Sequence, residues 1–342
     1  MLTSKLLGAT ASRPEYVAVA HNTSPFISVY PWTGSFGTKY ADPTSLPPAA
    51  CTGVAFTDSA DAIALSSTST PFVVAYAWSK TGFGTRYANP GLLPGGSQNG
   101  VAFKGGTTPA IMFGGVSTNV SAYPWTTAGG FGTRYTNPTT SGAANSVAFG
   151  VIVDQFYAIA GVSITAIANL WPFNAGFGTR YSPSGLSGTL GNTVAFSPAS
   201  AHVAIGYNSS PYIAVFPYSG TGFGTKVSNP ATLPPSSVVS TAFSPDGSAL
   251  AVGHATSPYL TVYSWSSSTG FGAKFSDPSS LPVGECSGVS FSKGGSAIAV
   301  STLSSPYVAA YGWSSAGFGA KVSNPSTLPT GQGNAIAFGR SP

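Results

Sequence analysis

A Phe-Gly dipeptide that returns seven times at nearly constant spacing is the feature that most restricts how this chain can fold. Its phenylalanines stand 46 to 48 residues apart, at Phe36, Phe83, Phe131, Phe177, Phe223, Phe271 and Phe318. A second marker, an apolar residue followed by a small residue and phenylalanine, also occurs in seven places. Its first copy is Val54-Ala55-Phe56, and its last copy ends at Phe338. Two markers that recur in constant order indicate seven copies of one structural unit.

Each unit predicts four short strands. In residues 238–278, segments rich in apolar, aromatic and β-branched residues alternate with Pro, Gly and Ser turns. In the third segment, Tyr259, Thr261 and Tyr263 alternate with Leu260 and Val262, so both faces of the sheet are largely apolar. Such a unit is one propeller blade, which needs a neighbouring blade on each face. The sequence therefore predicts an all-β chain that forms a single seven-bladed β-propeller, with four antiparallel strands per blade.

The order of the markers at the two ends predicts how the ring closes. The first blade has segments for its second, third and fourth strands near Tyr16, Phe26 and Phe36, but no clear innermost strand. The last segment, 335–338, fits the innermost-strand marker and has no second strand after it. We therefore expect the C-terminal strand to complete the N-terminal blade. Residues 1–13 then form an N-terminal arm and residues 14–342 the propeller. The alternative is that residues 6–10 supply this strand and leave the C-terminus outside the ring.

Composition argues against several classes of function. Charged residues make up 6% of the 342 residues, against roughly 25% in typical soluble domains. The 13 Lys and Arg residues form no run, so nucleic acid is not an expected partner. The chain has no apolar stretch long enough for a membrane span, and its N-terminal apolar run is too short for a signal peptide. Cys51 and Cys286 fall in non-adjacent blades, so we expect two free thiols.

The sequence pattern of the repeats resembles that of two groups of propeller proteins. The segment Phe-Ser-Pro-Asp-Gly at 243–247 resembles the turn of WD-repeat and YVTN-type propellers, and the similarity covers residues 14–339. The chain departs from that pattern because no Gly-His pair opens a blade and no Trp-Asp pair ends a third strand. The repeated Gly-Phe-Gly-Thr-Lys/Arg-Tyr and Asn-Pro-x-x-Leu-Pro segments are similar to those of propeller proteins encoded by tailed bacteriophages. This second resemblance implies a virion component.

Two sets of repeated side chains are candidates for binding. One basic residue stands at the same position of each outermost strand: Lys39, Arg86, Arg134, Arg180, Lys226, Lys274 and Lys321. These residues predict either a basic rim that meets an acidic partner or charged sheet edges that discourage aggregation. An aromatic residue follows Ser-Pro or Thr-Pro at the start of the third strand in five blades: Phe26, Phe72, Tyr212, Tyr259 and Tyr307. These aromatic residues predict either stacking on a ligand or packing between blades.

The remaining candidate features are few. An apolar segment, Val151, Ile152 and Val153, replaces a polar turn in the fourth blade and predicts an interface patch. His21, His202 and His254 are isolated in the sequence and are expected to be satisfied loop residues rather than metal ligands. No motif of a nucleophilic enzyme, a metalloprotease or a phosphate loop is present. We therefore expect no catalytic site, no metal and no cofactor.

The leading hypothesis on function is a non-enzymatic structural or binding propeller of a phage virion, in a tail, fibre or capsid decoration. Such a protein would assemble in the host cytoplasm. It would engage another virion protein, or a glycan or receptor on the host surface. The alternative is a carbohydrate-binding propeller lectin that uses the five aromatic residues at the third-strand starts. An enzyme is the least expected class, because few acidic residues and histidines are available to converge in one pocket.

Overall fold

The computed structural model describes residues 13–116, 120–140, 142–152, 155–162, 167–184, 190–198, 202–219 and 221–342. Across these ranges the secondary structure consists of β-strands, turns and bends, and the strands form seven antiparallel sheets. Each sheet is one blade, and its innermost strand contacts the innermost strands of both neighbouring blades, which closes a ring. The predicted all-β, seven-bladed propeller is confirmed. Over these ranges there is also no helix of the length and apolar character that crossing a membrane requires.

The strands of the first four blades are, in chain order, Glu15–His21 (β1), Ile27–Trp32 (β2), Cys51–Phe56 (β3), Ala62–Ser67 (β4), Val73–Ser79 (β5), Gly82–Arg86 (β6), Gln98–Lys104 (β7), Ala110–Gly115 (β8), Val120–Thr126 (β9), Gly130–Phe131 (β10), Ala144–Ile152 (β11), Gln155–Val162 (β12) and Ala168–Pro172 (β13). Those that follow are Gly191–Phe196 (β14), His202–Tyr207 (β15), Ile213–Ser219 (β16), Gly222–Phe223 (β17), Val238–Phe243 (β18), Ala249–His254 (β19), Leu260–Ser266 (β20), Gly270–Lys274 (β21), Cys286–Phe291 (β22), Ala297–Thr302 (β23), Val308–Ser314 (β24), Gly317–Lys321 (β25) and Gly333–Arg340 (β26).

Within each blade the strands pair in chain order from the channel outward. The sixth blade, for example, is β18-β19-β20-β21, and the second is β3-β4-β5-β6. Blades one and four have three regular strands each, β26-β1-β2 and β11-β12-β13. Their outermost segments are attached by isolated bridges, such as the one between Trp32 and Phe36. The predicted four-strand blade therefore holds, with a shortened outer edge in these two blades.

The ring closes through the C-terminal strand. β26 pairs antiparallel with β1, in a register that sets Phe338 opposite Val17 and Ile336 opposite Val19. β26 also contacts β3 of the second blade and β22 of the seventh, so it takes the innermost place of the first blade. The prediction of C-terminal closure is confirmed. The alternative strand at 6–10 and residues 1–12 of the expected arm lie outside the described residues.

The core lies between the blades, where large aromatic side chains of one blade pack on the preceding one. The ring of Trp78 stands nearly perpendicular to those of Tyr16 and Tyr40 in blade one, with centroids 5.3 and 5.1 Å away. The Tyr76 hydroxyl donates to the carbonyl oxygen of Ser45 at 2.6 Å, in the connection that enters its blade. Equivalent bonds are made by Tyr30, Tyr123 and Tyr263. In blades one, two, three and six the tyrosine hydroxyl therefore fastens the blade to the connection from its predecessor, and this use of the hydroxyl is usual for a buried tyrosine.

The cysteines and two of the histidines are buried structural residues. Cys51 and Cys286 are both free thiols, as predicted, and burial raises the pKa of Cys286 to about 12. His21 and His254 are fully buried at the ends of their second strands. The ring nitrogens of His254 lie 2.7 Å from the Thr256 carbonyl oxygen and 3.0 Å from the Thr261 hydroxyl. His21 has the corresponding pair of partners. Both histidines are thus satisfied by local hydrogen bonds.

Candidate functional site

The two faces of the ring carry different loops. We call one face the connection face, because it carries the connections between blades and the turns between second and third strands. These loops meet there through backbone hydrogen bonds, such as Thr68 N–H to the Ala50 carbonyl and Leu303 N–H to the Glu285 carbonyl, both 3.1 Å long. We call the other face the opposite face. It carries the turns between first and second strands and those between third and fourth strands.

The five predicted aromatic residues lie in turns on the connection face rather than in the strands. Each follows a cis proline and has a φ between 66° and 70°, the left-handed region that bulky residues rarely occupy. The N–H of Phe26 donates to the Thr23 carbonyl at 2.8 Å, and Tyr212 and Tyr307 make the same bond within their turns. The predicted strand start at Tyr259 is therefore wrong by one residue, because β20 begins at Leu260 once the backbone leaves the turn.

These aromatic residues do not converge on one pocket. Phe26, Phe72, Tyr212, Tyr259 and Tyr307 are all half-buried. Phe26, Tyr212 and Tyr259 pack against three separate clusters between blades. Their arrangement fits packing between blades, and contact with a ligand remains a prediction for each turn taken singly.

Most of the predicted basic rim is engaged with its own blade connections. Lys274 forms an ion pair with Asp277 at 2.6 Å, and Lys39 pairs with Asp42 in the same way. Arg86, Arg134 and Lys226 donate to nearby connection residues. Arg180 is exposed at the outer edge of blade four, and Lys321 is half-buried at the end of β25. The ring of basic residues exists, but five of its members hold the connections in place.

The predicted interface patch is only partly described. Val151 is 46% exposed at the end of β11. Ile152 ends that strand, and Val153 lies outside the described residues. An interface at this patch remains a prediction.

A belt of side-chain hydrogen bonds joins the innermost strands around the central channel. In it, the second residue of an innermost strand donates to the carbonyl oxygen of the first residue of the next one. Asn145 Nδ2 donates to Gly191 at 2.9 Å, and Asn334 Nδ2 donates to Cys51 at 2.8 Å. Six blades contribute such a donor: Thr52, Asn99, Asn145, Asn192, Ser287 and Asn334. The belt thus runs through β3, β7, β11, β14, β22 and β26.

The belt is open at one link, and the channel holds no ionisable group among its described lining residues. Val239 stands at the donor position of blade six, and its side chain has no hydrogen-bond donor for the Cys286 carbonyl oxygen. The channel cavity of about 220 Å³ is lined by Asn, Ser, Thr, Gly and aliphatic residues. The amide and hydroxyl donors of these six strands are thus committed to joining neighbouring blades.

A groove between blades two and three, on the opposite face, is where charged and aromatic side chains come together. Its volume is about 230 Å³. The β3–β4 turn contributes Asp58 and Asp61, and the β7–β8 side contributes Lys104. Phe103 and Trp125 form an apolar wall. We call this cavity the blade 2–3 groove.

Lys104 takes the place of a hydroxyl group that closes the corresponding turn in other blades. In blade six the Ser244 hydroxyl accepts the N–H of Ala249 at 2.9 Å, and Ser292 does the same in blade seven. The turn in blade three is one residue longer. There the Nζ of Lys104 donates to the carbonyl oxygen and hydroxyl of Thr108, at 2.6 and 2.8 Å. Lys104 is 2% exposed, and burial lowers its pKa. A positively charged donor is thereby fixed beneath the groove.

The two carboxylates of the groove have different surroundings. Asp61 accepts hydrogen bonds from Thr57 at 2.6 Å and from Thr127 at 3.1 Å, so it joins blades two and three. Asp58 is exposed, and its Oδ2 lies 2.1 Å from the position that a Cβ on Gly105 would take. Glycine at this position therefore allows the close approach. Within the described residues no hydrogen bond reaches Asp58, so its carboxylate can accept a proton or a ligand hydroxyl.

Comparison with known proteins identifies similar folds without a sequence family. No protein-family profile matches the sequence, and no curated protein matches it. Among solved structures, a candidate 6-phosphogluconolactonase from Bacteroides fragilis is similar, with a TM-score of 0.71 at 11% identity, over 97% of this chain and 99% of that chain. The periplasmic gluconolactonase of Pseudomonas aeruginosa gives a TM-score of 0.68 at 13% identity, over 96% and 100%.

A third similar structure is the β-propeller domain of Cps50 (Swd1) from Myceliophteria thermophila. Its TM-score is 0.59 at 12% identity, over 81% of this chain and 88% of that chain. Likenesses at such identities establish the propeller fold and leave the activity to be argued from the site. The WD-repeat type and the resemblance to phage propellers find no support in these comparisons.

The expected function is corrected by these neighbours. The hypothesis of a non-enzymatic phage virion propeller, with its lectin alternative, is contradicted, because propellers of the same architecture are named for the hydrolysis of sugar lactones. The expectation that the chain is not an enzyme is wrong for the same reason. The expectation of no enzyme rested on the scarcity of acids and histidines, and scarcity does not prevent a few such groups from meeting in one groove. The virion hypothesis rested also on the low charge and on the phage-like repeats.

Sequence reasoning missed the blade 2–3 groove. No candidate set drawn from the repeats includes Asp58, Asp61 or Lys104. One signal was present in the repeats. Lys104 directly follows the Phe103 marker, where other blades have Thr57, Ser244 or Ser292. A lysine among hydroxyl residues at an aligned repeat position marks a blade with a different local chemistry.

Proposed function

We propose that the protein is a sugar-lactone hydrolase whose reaction takes place in the blade 2–3 groove. The observation that supports this proposal is the meeting in one cavity of a fixed ammonium group, an apolar wall and a carboxylate that accepts no hydrogen bond from the described residues. The fold of the named lactonases is compatible with it. Grooves that combine apolar walls with a few convergent polar groups are the usual sites of small ligands.

Lactone hydrolysis requires a base, a stabilised oxyanion and a proton for the leaving oxygen. Asp58 has the role of general base: it takes a proton from a water molecule as the water oxygen attacks the lactone carbonyl carbon. The carbonyl oxygen becomes negative in the tetrahedral intermediate, and the positive charge of Lys104 beneath the turn stabilises it electrostatically. When the bond between the carbonyl carbon and the ring oxygen breaks, Asp58 returns its proton to that oxygen. The product is the open-chain hydroxy acid.

The wall of the groove explains how a sugar ring could be held for this step. Phe103 and Trp125 line the groove. Phe103 is half-buried and Trp125 is buried, so the Phe103 ring is the one on which the C–H face of a sugar can pack. Ser59, Thr126 and Thr127 line the same cavity and can exchange hydrogen bonds with sugar hydroxyls. Binding and chemistry are therefore carried by neighbouring turns of two blades.

The test is hydrolysis of glucono-1,5-lactone by the purified protein and by two aspartate variants. Asp58→Asn removes the base without removing any hydrogen bond of the described fold, so we expect kcat to fall by about 10²-fold or more. Asp246→Asn is the matched control, because Asp246 occupies the corresponding turn of blade six, remote from the groove, and bonds Ser244 and Ser248.

The control variant should keep its rate, within about twofold, even if its stability falls slightly. Enzyme-dependent hydrolysis must first exceed the spontaneous opening of the lactone. Equal rates for the Asp58 variant and the parent protein would show that Asp58 is not the general base. An absence of catalysed hydrolysis would refute the proposal.

A further inference from the structure

In the blade 2–3 groove, carboxylates outnumber ammonium groups, and the ammonium group is already hydrogen-bonded. Its lining includes two carboxylates, Asp58 and Asp61, and one ammonium group, Lys104. The Nζ of Lys104 donates to Thr108 and, at 3.4 Å, to the carbonyl oxygen of Gly105, while its side chain is buried. The groove therefore presents negative charge to a bound molecule, and its one cation acts from below through fixed partners.

Two other cations of the opposite face have acidic partners, and the exposed Arg13 and Lys80 do not line the groove. Arg340 lies 3.9 Å from Glu15 in an ion pair. Lys293, in the β22–β23 turn, interacts electrostatically with Asp58 and Glu15, and it does not line the groove. Lys293 can moderate the charge of Asp58 but offers no contact to a group held in the groove.

The basic residues of the outermost strands cannot supply the missing charge either. They stand at the strand ends that lead into the blade connections, on the connection face, whereas the groove opens on the opposite face. Arg86 and Arg134, which belong to the two blades of the groove, donate to residues of those connections. No guanidinium of the described chain lines the groove, whereas phosphate recognition usually relies on one.

We infer that the blade 2–3 groove takes an uncharged, polyhydroxylated sugar lactone and discriminates against a phosphorylated one. This inference rests on the proposed function and specifies its substrate class. A phosphate group carries nearly two negative charges at neutral pH, and in the groove it would meet Asp58 with no exposed cation among the described lining residues to offset the repulsion. Sugar hydroxyls, in contrast, find an acceptor in Asp58 and hydroxyl partners in Ser59 and Thr127.

The test compares kcat/KM for glucono-1,5-lactone and for its 6-phosphate with the full-length protein. At an ionic strength of about 0.01 M, where charges are little screened, we expect the uncharged lactone to be favoured at least about tenfold. Raising the ionic strength to about 0.5 M should bring the ratio of the two kcat/KM values closer to one, because salt screens the repulsion between the phosphate and Asp58. A wild-type protein that hydrolyses the phosphorylated lactone equally well, or better, overturns the inference.

A pair of variants at the rim of the groove isolates the charge. Ser59→Lys adds a mobile ammonium group, and Ser59→Gln adds similar bulk without charge. The Lys variant should raise the relative kcat/KM of the phosphorylated lactone by about tenfold, and the Gln variant should leave the ratio near that of the parent protein. An equal change in both variants would assign the preference to shape, contrary to the inference.

Binding distinguishes a failure of this inference from a failure of the proposed function. If neither lactone is hydrolysed, calorimetry measures the preference of the groove directly. The probes are glucono-1,5-lactam and its 6-phosphate, the non-hydrolysable analogues of the two lactones. Binding of the uncharged lactam alone would support the substrate class while refuting the catalytic role. Binding of the phosphorylated lactam alone, or of neither, would overturn the inference.

Discussion

The open link of the channel belt allows the contribution of one hydrogen bond to ring closure to be measured. Val239→Thr keeps a β-branched side chain in β18 and adds a hydroxyl at the position where Thr52 donates to the next blade. The new hydroxyl would face the carbonyl oxygen of Cys286. A net intramolecular hydrogen bond contributes about 1 kcal/mol, so we expect the free energy of unfolding to rise by about that amount.

The reciprocal variant is Thr52→Val, which opens a link that the parent protein has. Thr52 also lies 3.0 Å from the Ser66 hydroxyl, so its loss leaves two polar groups with one partner fewer. We expect a decrease in the free energy of unfolding of about 1 to 2 kcal/mol. For a chain of 342 residues, each kcal/mol corresponds to a change in Tm of about 1 to 2 °C.

Urea denaturation of the parent protein and both variants measures these changes, and unchanged m-values would show that the same surface is exposed on unfolding. The double variant should return close to the parent stability, because the two sites lie in different blades and should be additive. The belt would lose its assigned role if Val239→Thr lowered the stability, or if Thr52→Val left it unchanged.

Two further predictions concern a buried histidine and a glycine. Burial lowers the pKa of His254 to about 4, below the value near 6.5 of an unfolded histidine. The unfolded chain therefore binds the proton first. The resulting stability is full above about pH 6.5 and is lost as the pH falls toward 4, by up to about 3 kcal/mol. Urea titrations at several pH values should show that the free energy of unfolding of His254→Thr depends less on pH than that of the parent protein. An identical dependence on pH would contradict the reasoning. Gly105→Ala places a Cβ where the Asp58 carboxylate lies. Because Asp58 is exposed, we expect it to swing away, with a loss of lactonase activity of about tenfold or more and little change in Tm. A variant with full activity would show that the position of Asp58 is not critical.

Much of the fold was predictable from the sequence because the signal is repeated seven times. One blade gives an ambiguous pattern, but seven aligned copies fix the strand order, and the missing innermost strand of the first blade indicates how the ring closes. The error at Tyr259 has a physical cause. Period-two alternation of side chains continues unbroken through Tyr259, Thr261 and Tyr263, and it carries no information on the positive φ of the first of them.

The candidate site was less predictable, because it depends on how two blades meet. Asp58 and Lys104 are 46 residues apart in the sequence, close to one repeat length, so they occupy nearly aligned positions of adjacent blades. Residues aligned in this way become spatial neighbours only once the angle between the blades is known. Sequence periodicity also treats a departure from the repeat as drift, whereas here the departure of Lys104 from the hydroxyl consensus produces the local charge.

Closure by β26 has a consequence for how the chain acquires its structure. The contacts between β1 and β26 join residues separated by more than three hundred positions, among the most distant pairings that the chain allows. Chains dominated by such distant contacts fold slowly. During synthesis, β1 and β2 must wait without their inner partner until the final strand has left the ribosome, and β3 waits with one side of its innermost edge uncovered. We expect the first blade to be the last to become protected in a pulsed hydrogen-exchange experiment, although it is the first to be made.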